Sequence, residues 1–130
     1  MKYRICLSLL LTIIILAACS TPPTTRAEQT IDGLRIAIEL PTRATVARTY
    51  DLFVTLYDAT GQPINDATVF LDLDMPAMPM AVNQPIATPL GDGRYHIPAA
   101  YSMDGEWIIT VHAQIGNREY QALFEQRVAP

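Results

Sequence analysis

Three of the chain's five methionines lie within six residues, in Asp74-Met75-Pro76-Ala77-Met78-Pro79-Met80. Thioethers are polarizable and uncharged at every pH, and they favour Cu(I) over Zn or Mg. Three of them converging would make a soft-metal site without a thiol. Met103 is a candidate fourth donor if its loop reaches the same end of the fold. His96 is the better of the two histidines as an imidazole donor, although it lies between Tyr95 and Ile97 and so faces away from them. His112 is out of phase with Trp107, Ile109 and Val111, and both histidines are expected to be exposed. The same methionines also have plainer uses. Met75 continues the inward register of Val69, Leu71 and Leu73, which suits burial. Met78 and Met80 would equally cap an open end of the fold or form a pliable contact surface for a partner. From the residues alone, Cu(I) ligation, core capping and a contact surface all stay open.

The beginning of the chain indicates where those methionines work. Met1-Lys2-Tyr3-Arg4 is a short basic start, and Ile5 to Ala18 is an apolar run. At fourteen residues the run is shorter than the roughly 20 that cross a bilayer, so it reads as the apolar region of a secretory signal. It closes on Leu16-Ala17-Ala18-Cys19. That ending resembles the lipobox of bacterial lipoproteins, which implies cleavage after residue 18 and lipidation of Cys19. The expected address is the cell envelope, anchored to the outer side of the plasma membrane or to the outer membrane. Cys6 leaves with the signal and Cys19 carries lipid, so the mature domain has neither thiol nor disulfide. A thioether site suits an oxidising compartment, where a cysteine site is lost to disulfide formation.

Removing Lys2 and Arg4 from nine basic residues leaves seven arginines against 13 acidic residues, a formal −6. So acidic a chain, without lysine, is a poor partner for phosphate backbones, and nucleic acid is set aside. Catalysis also lacks support. The only serines after the signal are Ser20 and Ser102, and neither Gly-x-Ser-x-Gly nor His-Glu-x-x-His occurs. Asp72 and Asp74 share a strand face, but the spaced Asp/Asn loop of a calcium site is missing.

The elements that must position the methionines alternate with period two. Leu34, Ile36, Ile38 and Leu40 mark one half-buried strand, Tyr50 to Leu56 a second, and Val69 to Met75 a third. A weaker extended piece spans 81–89. A short strand led by Tyr95 and Ile97 stops at Pro98. Strands through Trp107 to Ala113 and Tyr120 to Gln126 complete the set. Asp58-Ala59-Thr60-Gly61-Gln62-Pro63, Gly91-Asp92-Gly93 and Gly116-Asn117 supply turns. The expected organisation is a signal peptide over 1–18, a lipidated flexible tether over 19–30, and one all-β domain over 31–130. About seven short strands without a helical stretch predict an antiparallel immunoglobulin-like sandwich, with Trp107 and Tyr95 filling its centre.

Four pieces stand in a particular order: Asp58 to Pro63, then Met75-Pro76-Ala77-Met78, then Gly93-Arg94-Tyr95, then Met103-Asp104-Gly105-Glu106-Trp107. The order resembles that of YtkA-like domains, relatives of FixH, in which a DxxGxP turn, an MPxM loop, a GxY strand and an MxGxW strand follow one another. The resemblance covers roughly residues 31–113. It implies a small extracytoplasmic sandwich, often membrane-anchored. FixH belongs to a system supplying copper-containing oxidases, so the resemblance also implies Cu(I) as cargo, in a chaperone or buffer role, and a membrane metalloprotein or oxidase as recipient. The alternative is a structural or interaction module without metal in a membrane assembly. Family members often carry a histidine just after the methionine loop, where this chain has Ala81-Val82-Asn83, a departure that weakens the metal reading.

Overall fold

The computed structural model describes residues 21–130. The signal segment 1–18, Cys19 and Ser20 lie outside the described residues. Within them are nine strands: β1 (Thr24–Ile31), β2 (Leu34–Pro41), β3 (Ala44–Thr45), β4 (Thr49–Tyr57), β5 (Thr68–Asp74), β6 (Thr88–Gly91), β7 (Arg94–Ala100), β8 (Gly105–Ile115) and β9 (Arg118–Ala129). They form two sheets, ordered β1-β2-β4-β7-β6 and β3-β9-β8-β5, here sheets A and B. All pairings are antiparallel except the short β3–β9 pair.

Alternation explains the packing. Ile36, Ile38, Leu52, Val54, Leu56, Tyr95 and Ile97 turn inward from sheet A, and Val69, Leu71, Trp107, Ile109, Val111 and Ala122 turn inward from sheet B. Each fully buried large side chain stabilises the fold by about 1.5–3 kcal/mol. Trp107 and Tyr95 are both 1% exposed, as their size and register predict.

The sandwich departs from the expected one in four places, one being that the extended piece expected over 81–89 is strand only from Thr88, in β6. Residues 24–31 are not a free tether but an edge strand, paired along its whole length with β2 from Thr24↔Pro41 to Ile31↔Leu34. The cause is Asp32-Gly33, whose φ values of 48° and 82° form a two-residue hairpin turn of the kind that Asp-Gly favours. Ala27, Gln29 and Ile31 lean against the core side, and the Gln29 side-chain amide donates to the Leu123 carbonyl of β9. β7 continues through Pro98 to Ala100, because its pairing with β6 ends at His96 and a proline beyond that point faces an open edge. The third addition is β3, held beside Val128 and Ala129 of β9.

Candidate functional site at the methionine end

β5 ends at Asp74, paired with Ile108, and Met75 follows it inward. The Met78 N–H then donates to the Met75 carbonyl at 2.9 Å, closing a turn with Pro76 in its second position. The returning chain pairs loosely with β5: Leu73 N–H donates to Asn83 O, Leu71 N–H to Pro85 O, and Ala87 N–H to Val69 O. The methionine loop is therefore the tip of an irregular hairpin whose second arm covers the β5 edge before crossing to sheet A as β6.

The tip meets the loop before β8. Met75 is 6% exposed, and its Cε lies so close to Gly105 that a Cβ there would collide with it. Gly105, at φ 130°, thus makes room for the thioether. The Trp107 indole N–H donates to the Met103 carbonyl at 3.0 Å, which holds the loop over the core. Met80 and Met103 are partly buried against that core, whereas Met78 is 47% exposed. Burial, the plainer reading for Met75, is what the structure has. Four methionines from two loops stand at one end of the sandwich, three of them reachable from its surface.

Beneath them is an aromatic cluster that sequence reasoning missed. Tyr101, 1% exposed, packs edge-on against Trp107 at 5.4 Å and tilted against Tyr50 at 6.1 Å. Its hydroxyl has no hydrogen-bond partner among the described residues. Burial, and then the neighbouring Tyr50, push its ionisation far above the ordinary phenol value. Period-two reading stopped β7 at Pro98, and so passed over the inward position three residues later.

His96 is not brought to the methionines. It lies mid-strand on the outer face of sheet A, where a ring nitrogen is 2.7 Å from an Asp51 carboxylate oxygen. Tyr95 and Ile97 on either side point into the core, so sheet A itself separates His96 from Met75. His112 faces out of sheet B as expected but is not fully exposed. It stacks on Phe70 at 4.4 Å and bonds Glu119 at 2.6 Å, holding that carboxyl below its usual range. Among the described residues no group of three or more His, Cys, Asp or Glu side chains could hold a metal ion, so a metal at this end would depend on thioethers. Near His96, a groove of about 610 Å³ runs over sheet A past Thr21, Arg48, Asp51 and Phe53. In it Arg94 lies 4.1 Å above the Phe53 ring and pairs with Glu39 at 3.3 Å.

The opposite end is built from the other two motifs. An Asp58 carboxylate oxygen accepts from Thr60 N–H at 2.8 Å, Thr60 Oγ1–H at 2.7 Å and Gln62 N–H at 3.0 Å. The Thr60 hydroxyl, followed by the Gln62 amide, holds the carboxyl below its ordinary range. Pro63 then packs against Gly93, whose N–H donates to the Asn65 side-chain oxygen at 2.6 Å and whose φ is 71°. The Tyr95 hydroxyl donates to Ile64 O at 2.8 Å and accepts from Ala67 N–H at 3.2 Å. DxxGxP and GxY thus interlock at one end, MPxM and MxGxW at the other. The family model described as YtkA-like matches residues 28–112, which contain all four.

The chain belongs to the YtkA-like family. The match begins inside β1 and ends inside β8, so the YtkA-like match includes only the last three residues of the segment expected to be tether, although β1 itself begins earlier, at Thr24. No curated protein and no solved structure matches the chain.

Proposed function

We propose that this YtkA-like protein is an extracytoplasmic lipoprotein, anchored through Cys19, that holds Cu(I) transiently at its methionine end and passes it to a membrane metalloprotein. The observation that carries the reading is the approach of two loops at one end: Met75 is seated on Gly105, two residues from Met103, Met78 and Met80 follow Met75 in its loop, and these three are accessible or partly so. The residues fit the cargo chemically, since Met78, Met80 and Met103 offer neutral soft donors and Met75 anchors the loop that carries two of them. Neutral thioether ligation exchanges readily, which suits a buffer or chaperone.

The test is a Cu(I) competition titration with a chromogenic chelator, under anaerobic reducing conditions. The parent is expected to take one Cu(I). Met78→Leu and Met80→Leu are expected to lose it while melting like the parent, and His96→Ala, outside the methionine end, to retain it. A parent that does not compete for the metal overturns the reading.

One observation favours a second reading, a non-metal contact module. Besides Met78, the hairpin exposes Val82 and Ile86, 79% and 71% accessible, which contribute nothing to metal binding. Because the Cys19 lipid would keep every variant at the membrane, the supporting result is photocrosslinking from position 82 or 86 to a membrane protein that persists in a Met78→Leu/Met80→Leu double variant binding no copper.

A further inference from the structure

The start of β1 and the methionine tip belong to the same end of the domain. β1 starts at Thr24 opposite Pro41, the last residue of β2, and the Thr42 N–H ties down the Pro23 carbonyl at 2.9 Å. The ends of β5 and β7 and the start of β8 also lie there, as do Met75 to Val82. Four residue steps separate Pro23 from Cys19, a reach of at most about 14 Å when fully extended. A lipid on Cys19 therefore holds this end close to the bilayer rather than letting the domain stand off on a long tether.

What that end presents is suited to a lipid surface. The anchor emerges at the β1 edge of sheet A, and the hairpin tip stands beyond the β5 edge of sheet B, so one flat surface can touch both. The tip carries Met78, 47% exposed, and Val82, 79% exposed. Arg43 and Arg48 are exposed in the β2–β4 connection at the same end, with Asp51, Asp74, Asp104 and Glu106 the exposed acids there, Glu106 paired with Arg127. Apolar side chains at a tip, with exposed arginines elsewhere on the same end, are features an interfacial contact can use. A tethered contact needs little intrinsic affinity, because the anchor supplies a high local concentration.

We propose that the methionine hairpin is a second membrane contact: Met78 and Val82 rest in the bilayer interface while Cys19 holds the lipid, so that the domain docks methionine end down. This rests on the lipid-anchor reading and extends it from attachment to orientation. It also puts the thioethers at the level where a membrane protein's own ligands emerge.

The experiment uses the full chain, expressed with its leader, purified in detergent and reconstituted in phosphatidylcholine–phosphatidylglycerol vesicles. Met78→Cys, Val82→Cys and, at the far end, Asn117→Cys each carry an environment-sensitive fluorophore, and the mass of the Cys19 peptide is measured on the same samples. Labels at 78 and 82 are expected to be shielded from aqueous iodide and quenched by shallow nitroxide lipid. The label at 117 should behave the opposite way, and adding Val82→Asp should return the label at 78 to water. Iodide access at 78 and 82 equal to that at 117, in a protein shown to be lipidated, overturns docking and leaves the anchor standing. An unlipidated Cys19 peptide overturns both. Shielding in native membranes but not in vesicles assigns the tip to a protein partner and overturns the lipid contact.

Discussion

The two ends of the sandwich are made by the same device, a loop from one sheet locked to a glycine that opens a strand of the fold, yet they differ in what fills the lock. At the Asp58 end the contacts are backbone and hydrogen bonds: Asp58 accepts three, Tyr95 is satisfied both as donor and as acceptor, and a Cβ on Gly93 would lie 2.5 Å from the Leu56 carbonyl oxygen. At the methionine end the filler is a flexible thioether, and the buried Tyr101 hydroxyl has no partner among the described residues. Directional contacts leave one geometry, while methionine packing tolerates adjustment. The first end reads as a fixed clasp and the second as the pliable one, where exchange or contact can occur.

The largest test of that contrast is alanine at each glycine. Gly93→Ala puts a side chain at φ 71° against main chain that cannot move, and is expected to cost about 3 kcal/mol in urea denaturation. Gly105→Ala also strains its backbone but meets the movable end of Met75, so its loss should be smaller. Combining it with Met75→Ala should show a coupling of about 1 kcal/mol, since the two share one contact. Equal costs at the two glycines, without coupling to Met75, would break the comparison.

The tyrosines sharpen it further. Tyr95→Phe leaves the Ile64 carbonyl and Ala67 amide without their partner and should lose about 1–2 kcal/mol, whereas Tyr101→Phe removes an unpartnered hydroxyl and should be neutral or stabilising. Melting temperatures of the two variants check both signs together.

The smallest effect is in acid. The folded Asp58 carboxyl titrates below its ordinary 3.8, so as pH falls the unfolded chain binds that proton first. Its contribution is fully present above about pH 4 and is lost as pH drops through the folded value. Asp58→Asn should therefore flatten the stability profile below pH 4 and leave the slope near neutral pH unchanged, as read by urea midpoints at stepped pH. A Met78→Leu/Met80→Leu variant should match the parent throughout that series, because its change belongs to the other end.

Much of this was visible in the residues. Period-two alternation placed β2, β4, β5, β8 and β9, because one face of each must be buried and register errors would reverse every side chain. It failed at β1, where Thr24 to Gln29 lacks an apolar face and only Asp32-Gly33 signals the hairpin. β7 was cut short because a proline ends a strand in sequence terms, while the short reach of β6 was invisible. The motif order was legible as a family resemblance, but not that its four pieces pair off by ends.

By itself, the sequence determined the all-β class, the inward set from Leu34 to Phe124 and the turns, since these follow from alternation and from residues that prefer positive φ. Only the tertiary structure decided which methionine is core and which is surface, that His96 lies across a sheet from them, and that the chain enters β1 at their end. Those outcomes depend on contacts between residues far apart in the chain, such as Met75 on Gly105 and Pro23 against Thr42, and local patterning carries no term for them.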